Sequence, residues 1–199
     1  TSATERDVAS SDGTRKLLLR WPDGATSECV LIPDADRRTA CVSTQVGCPA
    51  GCVFCASGLG GLERNLSAGE IVEQAMRLTR LCADDRGLTN VVVMGMGEPM
   101  LNYEAVVRAA RILNEPCGLA ISAEAISIST AGIVPGIRRF TADRLPFRLV
   151  VSLTSADPFR RRGVMPLERT HPLPELMEAL REYHKASGQR VILAWTMIS

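Results

Sequence analysis

Residues 48–55 read CPAGCVFC, which places Cys48, Cys52 and Cys55 in a Cys-x3-Cys-x2-Cys cluster. The cluster lies in a glycine-bearing loop that runs from Val46 to the pair Gly60 and Gly61. Three thiolates can surround one metal centre without filling it, because a four-iron iron–sulfur cluster normally takes four cysteine ligands. The spacing therefore predicts a [4Fe-4S] cluster with one iron left open for a small molecule.

A structural metal site and a disulfide framework are the alternatives. Structural zinc usually draws on two separated Cys or Cys/His pairs, and no second pair follows the cluster, since His171 and His184 stand alone in the sequence. The seven cysteines are an odd number and no secretory leader precedes them, which disfavours a disulfide framework. The iron–sulfur interpretation leads, and the structural metal site stays open.

The composition is typical of one soluble globular domain, with 199 residues, 46% hydrophobic and 23% charged. No apolar run approaches the ~20 residues of a membrane span, so we expect a cytoplasmic protein without a membrane partner. The net charge of +1 does not indicate a nucleic-acid partner. Nearly all the positive charge is arginine, and the run Arg160–Arg162 suits phosphate contact or a solvated surface equally.

The first forty residues are predicted to form an extension ahead of the core. Residues 1–14 show no periodicity, which is typical of a linker or a truncated end. Residues 16–20 and 28–32 flank the turn residues Pro22, Asp23 and Gly24, so residues 15–40 are predicted to form a β-hairpin. In its second strand the Glu28 carboxylate shares one face with two apolar side chains, either as an edge residue or as a placed base.

Residues 41–199 are predicted to form an α/β core. Strands are expected at 38–46, 91–96, 125–130, 147–153 and 190–198. One helix is expected to begin at Ser67, two others to cover 103–114 and 172–186, and residues 134–140 to form a short helix or a turn. Strands that alternate with helices argue for a parallel sheet. Because an exposed final strand is a liability, we expect that the chain is a fragment or that a partner covers this edge.

Candidate site residues follow four of these strands. In parallel barrels the functional residues lie at the carboxyl ends of the strands. The candidates are the three cysteines, the pair Gly97 and Glu98, the pair Ser129 and Thr130, and residues 152–154. The last three groups are weak signals individually. Outside the cluster, free cysteines such as Cys41, Cys29 and Cys117 most often act as small buried hydrophobic residues.

The cluster spacing, with Phe54 before its last cysteine, resembles the signature of the radical S-adenosylmethionine (SAM) enzymes. The longer stretches 41–48 (CVSTQVGC), 93–99 (VMGMGEP) and 127–132 (SISTAG) resemble the RlmN/Cfr family of RNA adenosine methyltransferases. The resemblance runs from about Ser11 to the last residue. It implies a radical SAM partial (β/α)6 barrel, incomplete here and preceded by a β-hairpin, with about five of six βα units in residues 41–199. It also implies two cofactors, a [4Fe-4S] cluster and SAM.

The resemblance assigns roles to individual residues. Cys48, Cys52 and Cys55 would hold the cluster, while Glu28 would take the proton from the adenine carbon and Cys41 would resolve the product through a transient disulfide bond. Family members commonly have histidine where this chain has Thr154, which keeps a hydroxyl and loses the imidazole. The positions expected to bind SAM are Gly97, Glu98, Ser129, Ser152, Leu153 and Thr154.

The implied activity is methylation of C2 of adenosine in 23S rRNA and tRNA through a methyl-cysteine intermediate. The alternatives are a Cfr-type enzyme that methylates C8 and a non-catalytic iron–sulfur or metal-binding module. Implied partners are both RNAs and an electron donor such as flavodoxin, and we expect a monomer. The family's N-terminal helical domain and its C-terminal loop with the methyl-carrying cysteine have no counterpart here, so we expect this chain alone to be inactive.

Overall fold

A computed structural model describes residues 1–82 and 87–197. Its frame is an eight-stranded sheet in the order β1-β2-β3-β4-β7-β8-β9-β10, and β5 and β6 form a separate two-stranded sheet. The ten strands in these two sheets are β1 (Ala3–Ala9), β2 (Arg15–Arg20), β3 (Thr26–Asp34), β4 (Arg37–Cys41), β5 (Gln45–Gly47), β6 (Leu62–Asn65), β7 (Asn90–Val93), β8 (Ile126–Thr130), β9 (Arg148–Ser152) and β10 (Ile192–Ala194).

The large sheet changes from antiparallel to parallel pairing at β4. Strands β1 to β4 form an antiparallel meander, and each later neighbour pairs in parallel. The helices follow the parallel strands as α1 (Ala68–Thr79), α2 (Tyr103–Asn114), α3 (Val134–Ala142), α4 (Pro158–Val164) and α5 (Leu173–Ser187). This arrangement confirms the predicted α/β fold, with a hairpin followed by five parallel strands.

Local sequence signals explain where the helices begin and end. Helix α1 starts with a capping box in which the Ser67 side chain accepts from the Glu70 N–H and the Glu70 side chain accepts from the Ser67 N–H. Helix α5 ends at Gly188, whose left-handed backbone suits glycine. Alternate residues of β8 are buried, with Ile126 and Ile128 in the core and Ser127 and Ser129 less buried.

The structure corrects five expectations about individual elements. The stretch 1–14, predicted to be a linker, contains β1, which pairs with β2. All side chains of β1 are exposed, so the sequence shows no alternation of apolar and polar residues that would have predicted a strand. The strand predicted at 38–46 is divided into β4 and β5, and the strand predicted at 91–96 ends at Val93. Helix α4 was not predicted. The last predicted strand is shorter, and its end at Ile198 lies outside the described residues.

The predicted domain boundaries after residues 14 and 40 stay predictions. Strand β4 crosses the boundary at residue 40 and pairs with β3 in the same sheet. Within residues 1–82 and 87–197, no helix is long and apolar enough to cross a membrane.

Candidate cluster and cofactor site

The cysteine loop leaves β5 and returns to β6 through close backbone contacts. Gly47 has φ +75°, and a Cβ at this position would lie 2.0 Å from the Gly61 carbonyl oxygen. The Cys48 N–H donates to that carbonyl at 2.9 Å, and the Val53 N–H donates to the Val164 carbonyl at 3.0 Å. The loop is therefore held both at its base and against the end of α4.

The three thiols are close enough to influence one another's ionisation. The pKa of Cys52 is raised to about 11, mainly by burial and in part by the neighbouring Cys48, Cys55 and Glu98. Burial also raises the pKa of Cys48, against a hydrogen bond from the Ala50 N–H, and Glu98 and Cys55 act in the same direction as burial. Neighbouring thiolates repel one another, so they are stable together only around a cationic centre. A metal ion supplies that positive charge and deprotonates the thiols that it binds.

The donor set of the loop suits an iron–sulfur cluster. In the described ranges 1–82 and 87–197, no group of three or more His, Cys, Asp or Glu side chains is arranged to hold a single metal ion. Iron–sulfur clusters are held by cysteine thiolates, and three thiolates leave one iron of a four-iron cluster open. Cys48, Cys52 and Cys55 could therefore hold a [4Fe-4S] cluster.

Buried polar side chains position the segment that leads into the cysteine loop. The fully buried Gln74 of α1 clamps Ser43: its Oε1 accepts from the Ser43 N–H at 2.8 Å and its Nε2 donates to the Ser43 carbonyl at 2.9 Å. The Ser43 hydroxyl donates to the Glu28 carbonyl and accepts from the Met96 N–H at 2.8 Å. These side-chain contacts satisfy the polar groups of Ser43 at the point where the predicted strand is interrupted between β4 and β5.

The next two residues are fixed in the same way. The Asn102 side chain donates to the Thr44 carbonyl at 2.8 Å and to the Leu66 carbonyl at 2.7 Å. Gln45 donates to the Asn65 side chain at 2.8 Å and accepts from the Glu98 N–H at 2.8 Å. The entrance to the loop is therefore anchored to the segments that follow β6 and β7.

The two glycines in stretch 93–99 allow this close approach. A Cβ on Gly95 would lie 2.6 Å from the Ser43 hydroxyl and 2.8 Å from the Ser43 nitrogen. Gly97 has φ +106°, and a Cβ there would lie 2.6 Å from the Thr44 hydroxyl and 2.7 Å from Gln45 Cβ. The Gly97 N–H also donates to the Cys48 sulfur. Only glycine provides both the backbone conformation and the space.

Glu98 is enclosed rather than open to the mouth of the sheet. Its side chain is 2% exposed, and its two carboxylate oxygens accept from the Met100 N–H at 3.0 Å and the Ala131 N–H at 2.7 Å. Burial raises its pKa, while these N–H groups and the Thr130 hydroxyl oppose the change. The carboxylate therefore links the end of β7 to the end of β8.

The remaining predicted SAM-binding residues lie at the ends of β8 and β9. Ser129 and Ser152 are partly buried, and Leu153 is buried in the core. Thr154 has φ +60°, which is a rare conformation for a β-branched residue. Its hydroxyl is buried and has no hydrogen-bond partner among residues 1–82 and 87–197. An orphaned buried hydroxyl is costly unless a ligand satisfies it, so this position fits a polar ligand such as SAM.

A cavity of about 540 Å³ lies beside Thr154, and Arg160, Val164 and Trp195 also line it. Two cavities of about 360 and 470 Å³ lie elsewhere, around Pro146 and Gln189, and contain none of the predicted site residues. The cavity at Thr154 therefore adjoins the residues expected to bind SAM, and another cavity, of about 290 Å³, is lined by the predicted catalytic residue Glu28.

The predicted catalytic pair shares one face of the sheet. Cys41 is paired across β3 and β4 with Val30, and Glu28 lies two residues from Val30, so both side chains project from the same face. The Glu28 carboxylate is 43% exposed and lies 3.1 Å from Lys16 Nζ. Cys29 is a buried thiol and Cys117 an exposed one, which corrects the expectation that Cys117 is buried.

The buried thiols predict a loss of stability at alkaline pH. Burial raises the pKa of Cys29 to about 12 and of Cys41 to about 11 from 9.0. The folded state holds these protons more tightly, so their stabilising contribution is complete below pH 9 and disappears as the pH rises through 11 to 12. Between pH 8 and about pH 10.5, the free energy of unfolding of Cys29→Ala, measured with urea, should fall by about 2 kcal/mol less than that of the wild type. Equal losses in the two proteins would contradict this assignment.

Several positioning residues had no role in the sequence interpretation, namely Gln45, Gln74, Asn102, Arg161 and Glu168. The only available signal was their polar character within apolar patterns, as for Gln74 on the buried face of α1. Such residues become recognisable only when their partners are known.

Known proteins match this chain over nearly its whole length. The family profile described as the radical SAM superfamily matches residues 42–198. A probable dual-specificity RNA methyltransferase RlmN from Desulfitobacterium hafniense (strain Y51) is 48% identical over 202 residues, covering 98% of this chain and 57% of that protein. Another from Moorella thermoacetica is 47% identical over 200 residues, covering 98% and 56%.

A solved structure gives the same result. The crystal structure of a radical SAM methyltransferase from Sphaerobacter thermophilus superposes with a TM-score of 0.94 at 44% identity, covering 98% of this chain and 57% of that one. The chain thus spans somewhat more than half the length of the relatives it matches.

Proposed function

Because the chain belongs to the radical SAM superfamily, whose members use a [4Fe-4S] cluster and SAM, we propose that it is the cofactor-binding part of an RNA adenosine methyltransferase. The proposed reaction transfers a methyl group to C2 of adenosine in 23S rRNA and tRNA. The relatives named RlmN support this choice. A cytoplasmic location, an electron donor such as flavodoxin and a monomeric state belong to the same proposal.

The proposal gives each part of the site a task. Cys48, Cys52 and Cys55 hold the cluster. Gly97 offers backbone to the SAM amino group, and Glu98 keeps that segment in place through its bonds to β8. The positions assigned to the rest of SAM are Ser129, Ser152, Leu153 and Thr154.

One observation carries the proposal. In the part of the chain that the structure describes, the buried Thr154 hydroxyl has no hydrogen-bond partner, and it lies just after the carboxyl end of β9, beside a cavity. The cysteine loop and Gly97 also follow the carboxyl ends of strands in this part of the fold. A polar ligand that fills the gap between these strand ends would satisfy the hydroxyl. The bound cofactors would supply the radical chemistry needed at an electron-poor aromatic carbon, which polar methyl transfer does not reach.

Glu28 and Cys41 are the proposed catalytic residues of the chain. Glu28 is accessible enough to accept a proton, and it must leave Lys16 to do so. Cys41 is protonated at neutral pH because its burial raises its pKa to about 11. A protonated thiol is a poor nucleophile, so Cys41 needs a base when it acts.

The test uses the full-length protein with a reductant, SAM and RNA fragments that contain the target adenosine. Mass spectrometry after nuclease digestion should detect 2-methyladenosine. Detection of 8-methyladenosine would instead establish the Cfr-type reaction. Binding of the cluster without SAM cleavage or RNA methylation would refute the enzymatic proposal and favour a binding module.

A further inference from the structure

Arg161 is fully buried, which is rare for an arginine. It lies in the run Arg160–Arg162, whose other two members are exposed. Its Nη1 donates to Glu168 Oε2 at 2.5 Å, and the side chains of this ion pair are 0% and 1% exposed. A buried charge pair of this kind must have its remaining donors and acceptors satisfied to be tolerated.

The other donors of Arg161 bind two strand-end loops. Its Nη2 donates to the Ala131 carbonyl at 2.8 Å, and its Nε donates to the Leu153 carbonyl at 3.3 Å. Ala131 follows β8 directly, and Leu153 follows β9 directly. Because the guanidinium is a rigid planar fork, it fixes the distance between these two loops.

Glu168 connects this fork to the start of α5. Its second carboxylate oxygen, Oε1, accepts from the Leu173 N–H at 2.8 Å. On the other side, Leu153 precedes Thr154, whose φ of +60° persists only if the surroundings hold it. The contact with the Leu153 carbonyl is one such restraint, beside the bond from the Leu153 N–H to the Ala194 carbonyl at 2.9 Å.

We propose that Arg161 is a positioning residue for SAM, acting through the carbonyls of Ala131 and Leu153 without touching the cofactor. It holds the loops after β8 and β9 at the spacing that presents Ser129 and Thr154 to one ligand. The inference rests on the proposed function only in naming SAM as that ligand. The coupling between the two loops is inferred only from the hydrogen bonds of Arg161 to the Ala131 and Leu153 carbonyls.

Arg161→Lys tests the inference in the full-length protein. Lysine keeps the positive charge for Glu168 but has no planar fork to span both carbonyls. We expect the Kd for SAM, measured by equilibrium dialysis, to rise about 10-fold, as is typical when a group that orients a ligand is lost. Amide exchange, measured without SAM, should become faster in residues 129–133 and 152–156. Arg162→Lys makes the same change one residue away on the surface and should match the wild type in both measurements.

The outcomes are distinct. A folded Arg161→Lys that binds SAM as tightly as the wild type overturns the inference, as does an equal loss in Arg162→Lys. If Arg161→Lys does not fold, the double variant Arg161→Gln, Glu168→Gln removes both buried charges and is judged by the same criteria. A wild-type protein that fails to bind SAM refutes the proposed function instead, and the exchange data then decide whether Arg161 holds the loops.

Discussion

Replacing Cys52 by alanine in the full-length protein is expected to abolish the four-iron cluster and every response to SAM. Only two of the three cysteine ligands would remain, and the Cys48 thiol holds its proton more tightly than an ordinary thiol, since burial raises its pKa. Even the loss of residues that merely orient ligands costs metal sites 10–100-fold, so we expect activity to fall by at least about 100-fold.

The measurement is anaerobic reconstitution with iron and sulfide, followed by iron analysis and by EPR of the reduced protein with and without SAM. Cys117→Ala is the matched control, because Cys117 is an exposed free thiol outside the site. It should bind iron as the wild type does and show the same change of EPR signal when SAM is added. A SAM-responsive four-iron signal in Cys52→Ala would refute the assignment of the ligands.

Gly97→Ala is expected to destabilise the fold by about 3 kcal/mol or more, because strain and overpacking each cost about 1–3 kcal/mol. The new Cβ would meet the Thr44 hydroxyl at 2.6 Å while the backbone holds φ +106°. The clash falls on the segment that enters the cysteine loop, so cluster assembly should weaken together with stability. Urea unfolding measures the first effect, and iron content after reconstitution measures the second.

Two other glycines separate the causes. Gly24 has φ +89° with nothing within 4 Å of the added Cβ, so Gly24→Ala carries backbone strain alone and should cost about 1 kcal/mol. Gly60 has neither a positive φ nor a neighbour within 4 Å, and Gly60→Ala should lie within about 0.5 kcal/mol of the wild type. If Gly97→Ala is no less stable than Gly24→Ala, the close approach of β7 to the loop entrance is not what requires glycine.

The sequence by itself determined the order of the hairpin, the parallel strands and the four longer helices, together with the boundaries of those helices to within about two residues. Helix α2 covers the predicted residues 103–114, and the capping box at Ser67 and the stop at Gly188 lie where the local signals put them. Such signals are readable because a helix cap or an apolar period involves residues only a few positions apart. The three cysteines were equally plain, since their spacing alone implies one metal centre.

Only the tertiary structure decided how that centre is supported. Nothing in the run Arg160–Arg162 distinguishes the fully buried Arg161 from its two exposed neighbours, because its partners at Ala131 and Glu168 come from other elements. Gln74 reaches Ser43 across 31 positions of sequence. A buried polar group is tolerated only when a partner is in place, and folding alone brings that partner near. The cysteine ligands can therefore be recognised from local sequence, whereas the contacts that position them join residues far apart in the sequence and follow no local pattern.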